Sequence, residues 1–488
     1  MKHADIIQKL NLEQKCALLS GETVFTTRAL PGKGIPAITL SDGPNGVRKQ
    51  AGAADHLGLN PSVPATCFPT SSATACSWDE KLGEAVGEAL GEEAAAQEVA
   101  VLLGPGLNIQ RSPLCGRDFE YFSEDPILAG RMAAAYVRGI QKNGISACPK
   151  HFAVNSQELR RMASDSVLDE RTLRELYLTG FEIVVKEAKP KTIMTSYNLI
   201  NGTYANENAH LLQDILRKDW GFDGAVVTDW GGSNDHALGV KNGSTLEMPC
   251  PGGDSIRELM KAVQDGKISE ADVDARLDEM LELVLSTHAA VEKAPRTFDA
   301  AAHHKLARRA AAESIVLLRN EGGILPLKPN EKLAVIGDFA ETPRYQGAGS
   351  SAVNALQVDT LLDSIKADDS GITLVGYASG FERQGAADAE KLEEAVALAK
   401  KADTVLLCLG LDELRESEGL DRSDMKLAEN QQQLLAAVAA VNSNVVVLLS
   451  AGAPIETPWA GQCRALVYGA LGGQAGAGAA ADILTGKL

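Results

Sequence analysis

The stretch GAVVTDWGGSND, residues 224–235, combines residue types that could do chemistry with a pattern that could position them. Residues 225–228 are typical of a buried strand, and Asp229, Trp230 and two glycines follow immediately. A carboxylate at such a strand end either caps the next helix or takes part in chemistry. Trp230 offers an amphipathic face on which a sugar ring can stack, and the glycines let backbone approach closely. These neighbours favour the chemical role for Asp229.

A second segment, GPGLNIQRSPLCGRDFEYFSEDP at residues 104–126, predicts a long charged loop after a strand. Arg111 lies just beyond the buried run and could aim its guanidinium at vicinal hydroxyls or a carboxylate. Exposure at the surface is the simplest interpretation for Arg117, Glu124 and Asp125. Only Arg111 is therefore a candidate site residue at this stage.

A third segment, CPKHFAVNSQELRR at residues 148–161, places Lys150 and His151 directly after a strand. Such a pair is commonly a surface feature, but positive charge at strand ends would hold Asp229 ionised. The chain contains no HxxxH pair, no CxxC pair and no Cys/His cluster, which disfavours a metal site. The fourth segment, SDGPNGVR at residues 41–48, contains an Asp-Gly-Pro turn and is weak evidence alone.

The elements that would carry these residues alternate between short apolar runs and helical stretches from residue 35 to about 290. Seven runs are typical of strands: AITLSDG, TCFPTS, VLLGPGLNI, ISACPKHF, KTIMTSYN, GAVVTDW and STLEMP. Alternation with helices predicts a parallel sheet, and seven strands approach the eight of a (β/α)₈ TIM-like barrel. Nearly every run ends in polar or ionisable residues, which in a barrel would meet around one mouth.

The residue pattern changes after residue 290. Residues 291–309 read as a charged helical linker, and KLAVIGD, ITLVGY, DTVLLCLG, VVVLLS and ALVYGA then predict five more strands. We therefore expect a barrel-like catalytic domain over 1–290, a linker over 291–309, and an α/β sandwich domain with a mostly parallel sheet over 310–488. The last residues are helix-like without a clear stop, so we expect the second domain to be truncated.

Composition restricts the class of protein. The 488 residues carry a formal net charge of −18 and no basic stripe, which disfavours a nucleic-acid partner. No run approaches 18 apolar residues, and the first residues lack the apolar core of a signal peptide. The eight scattered cysteines are typical of a reducing compartment, so we expect a cytoplasmic protein with no membrane partner.

The motifs resemble glycoside hydrolase family 3, specifically its β-glucosidase branch. Five pieces occur in the order of the family: SDGPNGVR, GPGLNIQRSPLCGRDFEYFSEDP, KHFAVNSQELRR, MTSYNLING and VVTDWG. A sixth, ESEGLDR at residues 416–422, lies in the predicted second domain. The resemblance covers nearly the whole chain, and its long central motif is highly specific.

The resemblance implies a retaining β-glucosidase that removes terminal non-reducing β-D-glucosyl residues through a covalent aspartyl-glycosyl intermediate. It makes Asp229 the nucleophile and Glu418 the acid/base, with Glu416 a nearby competitor. In a retaining glycosidase the two carboxyl groups are roughly 5–5.5 Å apart. Because the two residues fall in different predicted domains, those domains would have to dock to form the site.

The resemblance also implies how the sugar would be held. Asp42 would accept hydrogen bonds from the 4- and 6-hydroxyls, with Arg48 supporting it. The other implied contacts are Arg111, Lys150, His151 and Arg161 around the remaining hydroxyls, Tyr197 beside the nucleophile, Trp230 as an apolar platform, and Ser350 from the YQGAGSSA loop. The family implies no cofactor and no metal, and the expected partner is a small β-glucoside or oligosaccharide. The oligomeric state is not predicted.

Alternatives remain open. The first is a β-xylosidase or α-arabinofuranosidase of the same family, although pentoses lack the hydroxymethyl group that Asp42 would bind. The second is a non-catalytic carbohydrate-binding fragment. A β-N-acetylglucosaminidase is disfavoured, because the segment KHFAVNSQE lacks the histidine-containing loop of that branch.

Overall fold

The structure, a computed structural model, describes residues 1–52, 60–249 and 251–488. These residues divide into two units. The N-terminal unit comprises Met1–Ala65, Asp79–Arg111 and Tyr121–Asp299, and the C-terminal unit comprises Thr66–Trp78, Ser112–Glu120 and Ala300–Leu488. Two short segments from the first quarter of the chain thus belong to the C-terminal unit. The predicted boundaries at residues 290 and 310 stay a prediction.

The secondary structure alternates strands and helices through both units. The strands are β1 (Leu40–Asp42), β2 (Val101–Leu103), β3 (Ser146–Ala147), β4 (Asp165–Ser166), β5 (Thr192–Met194), β6 (Leu199–Ile200), β7 (Thr203–Tyr204), β8 (Ala225–Val227), β9 (Val316–Asn320), β10 (Lys332–Ile336), β11 (Thr373–Ala378), β12 (Thr404–Gly410), β13 (Val445–Ser450) and β14 (Ala465–Tyr468). The α-helices are α1 (Ala4–Ile7), α2 (Leu12–Ala17), α3 (Ser71–Ala75), α4 (Glu80–Ala96), α5 (Pro126–Gln141), α6 (Glu170–Thr172), α7 (Thr179–Ile183), α8 (His236–Asn242), α9 (Asp254–Gln264), α10 (Glu270–Lys293), α11 (Ala300–Ser314), α12 (Leu361–Lys366), α13 (Ala389–Ala399), α14 (Glu429–Ala439) and α15 (Gly476–Leu484). Wider π-helical turns span Leu173–Tyr177, Val184–Ala188 and His210–Asp219.

Backbone pairing in the N-terminal unit joins the strands side by side in parallel. β1 pairs with β2, β2 with β3, and β5 with β8. Isolated parallel bridges extend the series, namely Gly106–Lys150, Phe152–Thr195, Val227–Leu246 and Ser20–Glu247. Thr26 then pairs antiparallel with Thr39, just before β1. These pairings are consistent with the predicted eight-stranded barrel, which stays a prediction, and parallel pairing places the C-terminal strand ends on one side.

One of the seven predicted strands is wrong. Residues 66–70 of TCFPTS form no strand, and α3 begins at Ser71. The backbone N–H of Cys67 donates to the side chain of Gln474, and that of Thr70 donates to the carbonyl of Leu471. Pro69 has no N–H to give to a ladder. The segment therefore packs within the C-terminal unit instead of joining the parallel series.

The C-terminal unit contains a six-stranded sheet in the order β11-β10-β12-β13-β14-β9. Only β9 is antiparallel to its neighbour, so the predicted α/β domain with a mostly parallel sheet is confirmed. Every residue of β12 is buried, as expected for a parallel strand covered on both faces. The order of the five parallel strands reverses at β10, which makes the carboxyl ends of β10 and β12 the switch point where such sheets bind ligands.

The described helices include none that is long and apolar enough to cross a membrane.

Candidate active site

Five predicted site residues are joined by direct contacts in the N-terminal unit, and we call them the Asp229 cluster: Asp229, Trp230, His151, Tyr197 and Arg161. Only Thr228 separates Asp229 from the end of β8, and Oδ2 of Asp229 lies 3.6 Å from Nε2 of His151. The backbone N–H of Trp230 donates to Oδ1 of Asp229 at 2.8 Å. Tyr197 donates its hydroxyl to the carbonyl of Trp230 at 2.9 Å, and the guanidinium of Arg161 lies 4.9 Å from the centre of the Tyr197 ring.

The orientation of His151 is fixed from three sides. Asn108 accepts from the backbone N–H of His151 at 2.8 Å and donates to its carbonyl at 2.9 Å. Nδ1 of the ring lies 3.1 Å from the hydroxyl of Tyr121, which itself accepts from the amide of Asn155 at 3.2 Å. Because Asn155 donates to the phenol oxygen, the phenol proton is available to Nδ1, and this favours the tautomer with its proton on Nε2. That proton faces Oδ2 of Asp229 at an N···O distance of 3.6 Å, so the imidazole presents a partial positive charge to the carboxylate.

Trp230 and Arg161 are each held by a partner that the sequence did not reveal. Trp230 is 8% exposed, its indole N–H donates to the carbonyl of Val24 at 2.7 Å, and its ring lies 5.4 Å from that of Phe25. Arg161 forms an ion pair of 2.7 Å with Glu158, whose side chain is buried. Val24 and Phe25 precede the first predicted strand by more than ten residues, so nothing in their local sequence connects them to the cluster.

The other four predicted site residues of the N-terminal unit are Asp42, Arg48, Lys150 and Arg111; the first three lie at or beside strand ends, and the fourth lies at the surface. Asp42 ends β1, and the backbone N–H of Arg48 donates to its carbonyl at 2.9 Å across a short turn, which brings these two residues together. Lys150 is buried directly before His151. Arg111 is exposed, and within the described ranges it makes no hydrogen bond or ion pair with the Asp229 cluster.

Glu418 and Ser350 meet in the C-terminal unit, on the loops that follow β12 and β10 at the switch point of the sheet. The backbone N–H of Glu418 donates to the carbonyl of Ala348 at 3.0 Å. The backbone N–H of Ser350 donates to Oε2 of Glu418 at 2.7 Å. Arg117, on the segment Ser112–Glu120, donates to the hydroxyl of Ser350 at 3.3 Å. The Glu418 carboxylate is therefore held by its own unit from two loops.

Arg117 is the largest correction to the sequence analysis, because the surface position predicted for it is wrong. It is 1% exposed and lies 3.4 Å from Oε1 of Glu418. It also forms a two-pronged ion pair with the buried Glu120, with N···O distances of 2.6 and 3.3 Å. Glu124 and Asp125, in contrast, are exposed as predicted. The available signal was the spacing of three between Arg117 and Glu120, which suits a short helical turn.

Glu416, the competitor of Glu418, lies in a different environment. Its side chain is 0% exposed, and both carboxylate oxygens accept from the backbone N–H of Gly452 at 3.1 Å. Burial raises the pKa of Glu416, while the Arg344 guanidinium opposes that shift. The Glu418 side chain is 15% exposed. A group that exchanges a proton with a substrate must reach it, and this geometry favours Glu418.

Gly349 is required by the position of Glu418. Its φ is +114°, and a Cβ added there would lie 2.4 Å from Cβ of Glu418 and 2.7 Å from its Oε2. We expect Gly349→Ala to lower the free energy of unfolding by about 1–3 kcal/mol, because it adds backbone strain and a steric clash. Urea unfolding measures this. Gly461→Ala is the control, since no atom lies within 4 Å of its added Cβ. Equal effects of the two changes would contradict the prediction.

Asp118 gives the C-terminal unit a pH dependence. Burial raises the pKa of Asp118 to about 8 from its ordinary value of 3.8, and the negative charge of Glu416 adds to the rise. Between these two values the folded state holds a proton that the unfolded state releases, so stability falls as pH increases from about 4 to about 8. We expect Asp118→Asn to reduce this fall, measured as the difference in urea midpoint between pH 5 and pH 8. An unchanged difference would contradict it.

Within the part of the chain that the structure describes, no group of three or more His, Cys, Asp or Glu side chains could hold a metal ion.

Ionisable groups gathered at the carboxyl ends of parallel strands place the chain among the α/β proteins that build their sites there. Residues 48–283 match the glycosyl hydrolase family 3 N-terminal domain, and residues 315–488 match the glycosyl hydrolase family 3 C-terminal domain. The chain belongs to glycosyl hydrolase family 3, and the family predicted from its motifs is confirmed.

Similar proteins cover almost the whole chain. It is 46% identical over 487 residues to thermostable β-glucosidase B of Acetivibrio thermocellus and 44% identical over 494 residues to an exo-α-(1→6)-L-arabinopyranosidase of Bifidobacterium longum. Each match covers 99% of this chain, which spans 64% and 65% of the length of those two relatives.

Two solved structures are also similar. The family 3 β-glucosidase of Bifidobacterium adolescentis is 42% identical with a TM-score of 0.93, over 99% of this chain and 69% of that one. β-Glucosidase 3B of Thermotoga neapolitana in complex with glucose is 33% identical with a TM-score of 0.90, over 100% of this chain and 74% of that one.

Proposed function

We propose that this chain is a retaining β-glucosidase that hydrolyses terminal non-reducing β-D-glucosyl residues. The observation that carries the proposal is the Asp229 cluster, in which a carboxylate at a strand end is held between the Trp230 backbone and an oriented histidine. The proposal is also supported by relatives named β-glucosidase at 46% and 42% identity and by a similar structure that contains glucose. The substrate would be a small glycoside, and no cofactor takes part.

In the proposed mechanism, Asp229 is the nucleophile. Its carboxylate attacks the anomeric carbon and forms a glycosyl ester while the bond to the leaving oxygen breaks. The reaction needs an ionised carboxylate. The backbone N–H of Trp230, which donates to Oδ1, favours that form, and the oriented His151 presents its Nε2 edge 3.6 Å from Oδ2. The hydroxyl of Tyr197, bonded to the Trp230 carbonyl, keeps the backbone around the nucleophile in place.

Glu418 is the proposed acid/base. It protonates the leaving oxygen in the first step and takes a proton from the attacking water in the second. Arg117 alone would hold Glu418 ionised and unable to give a proton, but Glu120 pairs with the same guanidinium through two contacts. The electrostatic field that Glu418 experiences is therefore that of the Arg117–Glu120 ion pair, which is weaker than that of an unpaired guanidinium. A weaker field suits a carboxyl group that must be protonated in one step and ionised in the next.

Other residues are proposed to bind the sugar. Asp42, with Arg48 beside it, would accept hydrogen bonds from the 4- and 6-hydroxyls. The further proposed contacts are Lys150, His151, Arg161, Arg111 and Ser350, with Trp230 as the apolar platform. Neutral polyols are commonly held by several charged hydrogen bonds and one aromatic face. Since none of the described cysteines forms a disulfide bond, we also propose a cytoplasmic location.

Labelling with a 2-deoxy-2-fluoro-β-D-glucoside that carries a good leaving group tests the proposal. Fluorine slows both steps, and the good leaving group restores the first, so the glycosyl ester accumulates. We expect one added fluoroglucosyl group on the peptide that contains Asp229, and none in Asp229→Asn. A label on another carboxylate would overturn the assignment of Asp229. Binding of glucose without any label or turnover would instead support a non-catalytic carbohydrate-binding protein.

A pentosidase of the same family is the second candidate function. It is favoured by the relatives named exo-α-(1→6)-L-arabinopyranosidase at 44% identity. Comparing kcat/KM for 4-nitrophenyl β-glucoside, β-xyloside, α-L-arabinofuranoside and α-L-arabinopyranoside separates the two. A glucosidase should lose preference for the hexose when Asp42 is replaced by alanine, because a pentose has no hydroxymethyl group to lose a contact. Higher activity on any pentoside in the unmutated chain would favour the second candidate.

A further inference from the structure

We propose that Glu416 is a positioning residue that sets the place of the Glu418 carboxylate. This rests on the proposed function, in which Glu418 is the acid/base. Glu416 lies two residues before Glu418 on the loop that follows β12, and all of the contacts that carry the inference lie within the C-terminal unit.

Glu416 joins the loops that follow three neighbouring strands. Its carboxylate accepts from the backbone N–H of Gly452, just after β13. Its backbone carbonyl accepts from Nη2 of Arg344 at 3.2 Å, and the same nitrogen lies 3.9 Å from its Oε1. Arg344 is buried and belongs to the loop after β10. Glu416 thus occupies the carboxyl-end crevice of the sheet, where a ligand would otherwise lie.

Glu418 lies in a tight turn that directly follows Glu416 and is held by backbone hydrogen bonds within its own loop and to the loop after β10. Ser417 pairs with Leu420, and Gly419 has a φ of +90°. The loop after β10 holds Glu418 through Ala348 and Ser350, and Arg344 lies a few residues earlier on that loop. The same two loops are therefore joined twice, once at Glu416 and once at Glu418. We therefore expect that a displacement of the loop at Glu416 also displaces the Glu418 carboxylate.

Glu416 is unsuited to direct proton exchange with a substrate, and a buried charge of this kind contributes little net stability to the fold. It is completely buried, among Arg344, Arg422, Asp412, Asp118 and Tyr468. Removing one partner of a buried ion pair leaves the other charge uncompensated. Arg344 keeps a second carboxylate when Glu416 is changed, because its Nε lies 3.8 Å from Oε1 of Glu413. A glutamine could still accept from Gly452, but it would lose the charge that attracts Arg344. The carboxylate is therefore better explained by the position it gives to the loop.

The substitution Glu416→Gln separates positioning from the alternatives. Thermal unfolding should shift by less than about 4 °C, which for a domain of this size is about 1–2 kcal/mol. kcat/KM should fall by roughly 10- to 100-fold for phenyl β-glucoside, because a displacement of about 1 Å costs that much. For 2,4-dinitrophenyl β-glucoside, which needs no proton, it should fall by less than about threefold. Arg344→Gln should give the same pattern, and Asp424→Asn, further along the same loop, should change neither substrate by more than about twofold, because asparagine can still accept from the backbone N–H of Lys426.

Hydrogen exchange and azide rescue distinguish failure of the positioning role of Glu416 from failure of the proposed β-glucosidase function. Exchange at the backbone N–H groups of Glu418 and Ser350 should be faster in Glu416→Gln than in Asp424→Asn, whether or not the chain turns over a glucoside. Azide should yield a glucosyl azide with Glu418→Ala but not with Glu416→Ala. Unchanged exchange and leaving-group dependence in Glu416→Gln would overturn the positioning role and leave the function intact. Azide product with Glu416→Ala alone, or loss of the fold in Glu416→Gln, would also overturn it.

Discussion

Replacing Asp229 with asparagine should lower kcat for 4-nitrophenyl β-D-glucoside by about 10⁴-fold or more, which is the scale of losses seen when a nucleophile is removed. The amide cannot form the glycosyl ester, yet it keeps the shape of the side chain and can still accept from the Trp230 backbone. The change should therefore leave the fold intact. Initial rates of nitrophenol release and thermal unfolding, measured on the same preparation, check both expectations.

Asp235→Asn is a matched control for this change. Asp235 lies six residues further along the same loop and caps α8 by accepting from the backbone N–H of Leu238 at 2.8 Å. Asparagine caps helices as well as aspartate does, so the control should keep kcat within about twofold. If Asp229→Asn retained more than about a tenth of the activity, Asp229 would not be the nucleophile.

Replacing Glu418 with alanine should reveal a strong dependence on the leaving group. For phenyl β-glucoside we expect kcat/KM to fall by about 10²–10⁴-fold, the range of general acid catalysis, and for 2,4-dinitrophenyl β-glucoside by far less. The second step would then be slow for both substrates, because no base activates water. Added azide should restore turnover and give the β-configured glucosyl azide, which nuclear magnetic resonance identifies.

Removal of the Glu418 side chain also leaves the Arg117–Glu120 pair without its third member. Because Glu120 already pairs with Arg117 through two contacts, the guanidinium keeps a counter-charge and the fold should survive. Urea unfolding of Glu418→Ala checks this. A fall of equal size for both leaving groups would show that the change acts through structure or binding and not through proton transfer.

The sequence predicted the strands that are buried on both sides better than those at edges. β12 is a continuous apolar run between polar residues, and it lies within the stretch predicted. β9 was not predicted. It begins at Val316, and only Ile315 separates it from the end of α11, so no glycine, proline or other turn residue marks the boundary between helix and strand. Its Leu317 and Leu318 are both exposed, and an edge strand of this kind has no alternating pattern to reveal it.

The candidate site was predictable where a residue lies at the end of a strand or just beyond it. Asp42 ends β1, Asp229 lies two residues after β8, and His151 follows the parallel bridge at Lys150. Parallel strands bring such ends to the same side. The contacts that fix His151 are not visible in the sequence, because Tyr121 reaches its ring from another loop and Asn155 acts through the hydroxyl of Tyr121. Arg117 was assigned to the surface because charge in a loop is usually solvated. Its burial depends on Glu120, Ser350 and Glu418, of which only the first is near in sequence.

The segment Ser112–Glu120 belongs to the C-terminal unit although it is made long before the rest of that unit. As the chain leaves the ribosome, Arg117 must wait for about 300 further residues before Glu418 exists, which at 5–20 residues per second is a delay of roughly 15–60 seconds. Until then its partner Glu120 is present but the loops that bury both are not. The segment Ser112–Glu120 therefore cannot complete its contacts with the C-terminal unit until those later residues have been made.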